Sequence, residues 1–248
     1  MQQRQVAADA GLACLLARTV TLCLDDECSR MCAAHRLPCV RYSAFTLGAA
    51  GAASDPTYRT ITFVKWRILE DVLEHRSGGG GVRGALFFDD DVLLLANPFA
   101  AFDHTAWDVR HQAESGVGCS AQPNGGLLYV RATPAGRLAV RHMVAKQDVI
   151  QASGHKLDQD YVVGAVAGAN ATRCAFPKRS FAGHCPRAQL STSSLRTLVT
   201  YHAHCCAPVE AKLALMARIV DGVARAPGSR LRAVDRAPLP AGVPPCEP

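Results

Sequence analysis

The stretch GALFFDDDVLLLANPF, residues 84–99, decides how the chain is read. Ala85, Leu86, Phe87 and Phe88 have the composition of a buried strand, and Asp89, Asp90 and Asp91 end it abruptly. Three consecutive carboxylates against an apolar strand repel one another and lose solvation, so they need a compensating charge. Side chains alternate along an extended chain, which sends Asp89 and Asp91 to one side and Asp90 to the other. Two carboxylates on one side suit a hard divalent cation such as Mn²⁺ or Mg²⁺, which prefers oxygen ligands and neutralises a diphosphate at the same time. The end of an apolar strand is also where open α/β sheets bind their ligands.

On either side of this stretch the chain keeps an α/β rhythm. Residues 3–18 have apolar positions at helical spacing, 19–24 read as a strand, 27–36 as a helix stopped by Pro38, and 39–42 as a second strand. Residues 46–56, rich in Gly, Ala and Ser, read as a loop. Ile61, Val64, Ile68, Leu69, Val72 and Leu73 then mark one face of an amphipathic helix, broken by the glycine run at 78–81. Downstream, 126–131 read as a strand, and Thr133-Pro134 as the cap and first residue of a helix. Residues 160–167 read as helix or strand and 198–201 as a short strand, while Val209, Leu213, Met216, Val220 and Val223 share one face of a last helix. Residues 226–248 hold six of the 14 prolines and read as a disordered tail. The expectation is one α/β domain over residues 1–225, followed by that tail.

Composition narrows the classes. A chain of 248 residues, 49% apolar, can fill a sizeable core, which excludes a disordered or collagen-like chain. The formal net charge is +6 with no dense Lys/Arg run, so no nucleic-acid partner is implied. No charge-free apolar window reaches the length of about 18 residues that a membrane span needs, and polar residues 1–9 do not read as a secretory signal. The 11 cysteines leave at least one unpaired. Cys28 and Cys32 have no second pair at zinc-site spacing, so buried thiols or a few disulfides are the reading. One sequon, Asn170-Ala171-Thr172, would be used only in a secretory lumen.

The residues around the acidic triplet resemble a known family. FFDDDVLLLANPF is similar to the Asp-x-Asp segment of nucleotide-diphospho-sugar transferases, close to glycosyltransferase family 77 of plants and algae. Other pieces follow in the family's order: Lys65 on its helix, Asn124 and Gly126 in PNGGLLYVRAT, and Asp158 and Gln159 in LDQD. RSFAGHC resembles the Phe-x-Gly turn before the last strand, and YHAHCC with Lys212 downstream resembles a His-Ala-Asn-Cys-Cys segment. Together they span roughly residues 15 to 215. The resemblance implies a GT-A fold, a Rossmann-like mixed sheet flanked by helices, and use of Mn²⁺ (or Mg²⁺) with a nucleotide-diphospho-sugar donor. It implies a glycan or glycoprotein acceptor, retention of anomeric configuration and a place in the Golgi lumen. By residue, it implies Asp89, Asp91 and His202 as metal ligands, with Asp89 also touching the sugar nucleotide. It implies Lys65 and Lys212 at the donor, Lys212 holding the diphosphate. Asn124 and Gly126 would line the donor sugar, and Asp158 and Gln159 would lie near the anomeric carbon.

The chain departs from the family in two ways. It begins at a helix, as if the first nucleotide-binding strand and the membrane anchor before it were missing, and His204 stands where Asn is usual. His204 reads either as an alternative metal ligand or as a change on the acceptor side. Each piece also has an ordinary reading: His202 as a packed histidine, Lys212 as a solvated charge, Asn124-Gly125-Gly126 as a turn, Asp158 as a helix cap. Two other functions stay open on the residues alone. One is a truncated, catalytically inactive relative acting as a binding or partner subunit. The other is a haloacid-dehalogenase-type phosphatase, which has Asp-x-Asp after an apolar strand but Thr or Val where Leu93 stands.

Overall fold

The computed structural model describes residues 15, 18–42, 56–74, 81–154, 156–183, 192–204 and 209–225. The helix read over 3–18, the loop over 46–55 and the tail over 226–248 lie outside the described residues, apart from Leu15 and Arg18.

The architecture is mixed α/β, with sheets flanked by helices. Strand β1 (Thr21–Cys23), helix α1 (Asp26–His35) and strand β2 (Cys39–Arg41) form a small parallel unit. Asp25 caps α1 by accepting a hydrogen bond from the Cys28 N–H, and Arg36 ends the helix in the left-handed region. Cys23–Cys28 and Cys32–Cys39 cross-link this unit, and Cys119–Cys174 ties the 3₁₀ turn Gly118–Ser120 to the strand Arg173–Ala175 farther on. The cysteines at 28 and 32 are therefore spent in disulfides.

Helix α2 (Pro56–Glu74) leads to a four-stranded sheet. Its strands are β3 (Gly84–Phe88), β5 (Val109–Ser115), β6 (Gln122–Arg131) and β7 (Arg173–Ala175), in the order β3-β6-β5-β7. Only the β5–β7 pairing in it is parallel. Helices α3 (Pro134–Val144), α4 (Gln147–Ala152) and α5 (Val162–Gly168) lie between β6 and β7 in the chain. Thr133 caps α3 through the Gly136 N–H, ahead of Pro134 at the first turn, as its Thr-Pro pair predicts.

A second sheet, in the order β4-β9-β8, combines β4 (Val92–Leu94), β8 (Phe181–Gly183) and β9 (Thr200–His202). Helix α6 (Thr192–Thr197) precedes β9, and α7 (Val209–Arg225) covers this sheet with Met216, Ile219, Val220 and Val223. The segment Phe181-Ala182-Gly183, expected as a turn, is itself a strand, because it pairs in parallel with β9.

Three apolar clusters hold these layers. Helix α2 buries Phe63, Trp66, Leu69 and Leu73 against β5, β6, α3 and α5. Its buried face is wider than the expected stripe: Lys65 is buried with Trp66, whereas Val72 is exposed. The aromatic side chains of Phe102, Tyr129, Phe176 and Phe181 fill the space between the two sheets, with Phe176 stacked on Phe181 at 4.5 Å. No described helix is long and apolar enough to cross a membrane.

The chain passes from one sheet to the other between β3 and β4, and that corner is the acidic triplet. Asp90 and Asp91 form a turn rather than continuing the strand, and the Val92 N–H closes it on the Asp89 carbonyl at 3.1 Å.

Candidate functional site

Ladder register brings the site together. The Asp89 N–H donates to the Gly126 carbonyl at 2.8 Å, one step beyond the Phe88–Leu127 pair, and so sets Asp89 beside β6. Val92 pairs with His202 on β9, and the Ala203 N–H donates to the Asp91 carbonyl at 3.0 Å. Asp91 and His202 thus meet across the end of an antiparallel pair, although 111 positions separate them in the chain. One ligand atom from each of Asp89, Asp91 and His202 falls within 4.8 Å of the others.

The two acids share a side because of the turn, not because of strand alternation. His202 Nε2 lies 3.0 Å from Asp91 Oδ1, and Lys212 Nζ donates to Asp91 Oδ2 at 2.5 Å. Gly126 makes the close approach possible. A Cβ there would overlap the His202 ring and stand 2.8 Å from Asp89 Oδ2, so any side chain would push the triad apart. His204 lies outside the triad, its ring 4.5 Å from that of His202 and its Nε2 4.0 Å from Glu114 Oε2.

Charge and burial set the acids apart. Burial works against the ionised Asp91 carboxylate, but the hydrogen bonds and charges of His202 and Lys212 outweigh it and hold its pKa well below the ordinary range. Burial pushes the Asp89 carboxyl the other way, above its ordinary value, against the pull of Lys65 and His202. Asp91 Oδ1 is buried and faces His202 Nε2 at 3.0 Å. A divalent cation fits this donor set of two carboxylates and one imidazole, since it would relieve both the crowding of acids and the raised Asp89.

The floor of the site is a second network. Lys65 Nζ donates to the Gly125 carbonyl at 2.9 Å and pairs with Asp158 Oδ2 at 3.1 Å, with both side chains almost fully buried. The Trp66 indole N–H also donates to Asp158 Oδ2, at 2.7 Å. Gln159 Oε1 accepts the Gly125 N–H at 3.1 Å. Asn124 Oδ1 accepts the Gly126 N–H at 2.9 Å, and its Nδ2 donates to Glu114 Oε2 at 2.6 Å. The glycine pair sits where β6 bulges: Gln112 pairs with Asn124, yet the adjacent His111 pairs with Leu128. The structure therefore gathers Lys65, Asn124, Gly126, Asp158 and Gln159 around one backbone segment, and Asp89, Asp91, His202 and Lys212 directly above Gly126.

Four residues of this assembly carried no sequence motif: Tyr58, Gln112, Glu114 and Trp66. Tyr58, on the first turn of α2 and two turns before Lys65, has its hydroxyl held above its ordinary pKa by burial and then by the charge of Asp89. Only Trp66 had a visible signal, since it adjoins Lys65.

The profile of the nucleotide-diphospho-sugar transferase family matches residues 14–216. The chain belongs to that family. No curated protein and no solved structure shows significant similarity to it. The nucleotide-diphospho-sugar transferase match runs from before β1 into α7, so it includes every residue of the triad and of the floor network. It makes the protein a glycosyltransferase-type enzyme that uses a nucleotide-sugar donor, and the phosphatase alternative falls with it.

Proposed function

We propose that this transferase is metal-dependent, with Mn²⁺ or Mg²⁺ held by Asp89, Asp91 and His202. It moves a hexosyl or pentosyl group from a nucleoside diphosphate to a hydroxyl of a glycan or glycoprotein. Retention of anomeric configuration and a place near glycosyltransferase family 77 complete the reading, on the resemblance of its motifs. The observation that carries it is the convergence of the triad's ligand atoms within 4.8 Å, with Lys212 already on Asp91.

Breaking a sugar–diphosphate bond builds negative charge on the departing oxygen. A bound divalent cation supplies Lewis-acid stabilisation of that charge. The chain's own part is positional. Lys212 lies at the rim of the acids, where its ammonium can turn from Asp91 to a phosphate oxygen. Asn124 and Gly126 line the donor-sugar side, where the Asn124 amide holds the Gly126 N–H in place. Asp158 and Gln159 serve the same side from below: Gln159 holds the Gly125 N–H, and Asp158 fixes Lys65 under the Gly125 carbonyl.

Calorimetry of the full chain with Mn²⁺ and a panel of UDP- and GDP-sugars tests this reading. Binding in the micromolar range is expected for at least one donor, with the heat abolished by a chelator. A flat titration for every donor would leave only an inert relative that binds no sugar nucleotide.

The Golgi lumen is the proposed compartment. Three disulfides suit an oxidising environment. Asn170 of the sequon is exposed at a left-handed turn after α5. Mass spectrometry of the Asn170 peptide from the native source is expected to show an N-glycan. An unmodified peptide together with reduced cysteines at 119 and 174 would move the protein to another compartment.

A further inference from the structure

Gln112 lies in the middle of β5, fully buried, and its side chain leaves the four-stranded sheet for the other one. Its Oε1 stands 2.7 Å from His202 Nδ1. Its Nε2 is buried with no hydrogen-bond partner among the described residues. Leaving a buried amide N–H group unsatisfied is costly, so Gln112 is a net loss to folding unless its carbonyl does something. An oxygen at that distance requires the ring hydrogen on Nδ1. In the neutral ring, His202 Nε2, the atom that faces Asp91 Oδ1 at 3.0 Å, is then left with its lone pair, whereas the imidazolium would donate from both nitrogens.

Space for the amide comes from a third strand. Gly183 on β8 pairs with His202 on β9. A Cβ at Gly183 would overlap Gln112 Nε2 and stand 2.8 Å from the His202 Cβ. The glycine of the Phe-x-Gly segment thus has a physical reason, which is to admit the Gln112 side chain behind the imidazole.

We propose that Gln112 is the positioning residue of His202: its Oε1 fixes the imidazole in the Nδ1–H tautomer and aims Nε2 at Asp89 and Asp91, in space that Gly183 provides. The proposal rests on the metal-dependent reading for its purpose but not for its geometry. A partner of this kind raises the basicity of a ligating ring and fixes its orientation, and losing one weakens metal binding by about 10–100-fold.

Two measurements on the full chain separate the proposal from a packing role. Long-range ¹H–¹⁵N correlation at a pH where the ring is neutral is expected to show His202 protonated at Nδ1 in the wild type. Gln112→Ala is expected to scramble the tautomer, and Gln112→Glu to retain it. In Mn²⁺ titrations, Gln112→Ala is expected to lose about 10–100-fold in affinity and Gln112→Glu to stay near wild type. Gln112→Ala should change nothing further in a His202→Ala background, because it acts only through that ring. Gly183→Ala, which disturbs the amide from another strand, should reproduce the tautomer change if Gln112→Ala fails to fold. A wild-type ring protonated at Nε2, or additive losses in the double variant, would overturn the proposal. A wild type that takes up no Mn²⁺ yet shows the Nδ1–H tautomer would count against the metal reading alone.

Discussion

Asp91→Ala is expected to lower sugar transfer by about 10³-fold or more while the fold persists. Its two oxygens serve two partners, His202 on Oδ1 and Lys212 on Oδ2, and it is one of only two carboxylates in the triad. Removing a single preorganised stabiliser of developing charge costs about 10²–10³ in turnover, and this change removes an anionic ligand and uncouples a lysine at once. Asp91→Asn keeps the shape and loses the charge, so a loss of similar size is expected from it. Circular dichroism and thermal unfolding check the fold, and donor hydrolysis with a chelator control checks the chemistry. Turnover within tenfold of wild type in either variant would remove Asp91 from the site. The same residue predicts an acid limb in stability. Its folded pKa is depressed, so its contribution is complete above the unfolded value of about 3.9 and is lost as pH falls below it. The stability gap between wild type and Asp91→Ala should therefore narrow as pH drops below about 4.

How legible this site was depended on whether a residue's partners lie in its own segment. Asp89 and Asp91 stand out in sequence because three acids after an apolar strand are anomalous, and the surroundings confirm that they need a counter-charge. Why they converge was not legible. Alternation along a strand gives the right side for the wrong reason, since the chain turns at Asp90 and the register of β4 against β9 sets the distance to His202. β5 escaped reading altogether. Its run Arg110-His111-Gln112 looks like surface, yet all three are buried. Each finds a partner outside any sequence window. Arg110 donates to the Ala175 carbonyl and lies over the Phe102 ring at 5.7 Å. His111 Nε2 lies 3.3 Å from Arg173 Nη1, and burial first of all pushes the ring's pKa down to about 4. Gln112 meets His202. Polar residues paid for by distant partners defeat any hydrophobic pattern, which is why the strand that positions the imidazole was the hardest to see. Helix α2, by contrast, was legible as a helix but not in its width. Lys65 and Trp66 are buried only because Asp158, 92 positions beyond Trp66, receives both.

That buried pair carries the second large effect. Lys65→Ala is expected to destabilise the protein by about 3–5 kcal/mol, because it strands the Asp158 charge in a place with no solvent to receive it. The side chains are 5% and 2% exposed, so screening by water does not soften the loss. Adding Asp158→Asn should recover much of it, since the amide can still accept from Trp66 without carrying a charge. Urea unfolding of the two single variants and the double variant measures the coupling. A cost below about 1 kcal/mol for Lys65→Ala would mean that Asp158 has found another partner or water, and the rigid floor under Gly125 would not exist. Alkaline pH gives an independent check. Burial disfavours the Lys65 charge, but Asp158 and Asp89 outweigh it and raise its folded pKa above the ordinary value. A raised pKa stabilises the fold below the unfolded value of about 10.4, and the gain is lost as pH climbs through the folded value. Wild type should therefore lose stability over that window, and Lys65→Ala should show a smaller limb, left by the raised tyrosines such as Tyr58. If both the alkaline limb and the rescue appear, Asp158 works on the donor side by holding Lys65 and the Gly125 backbone in place. In that case Asp158→Asn should change transfer far less than Asp91→Asn, even though both remove one negative charge from the same site.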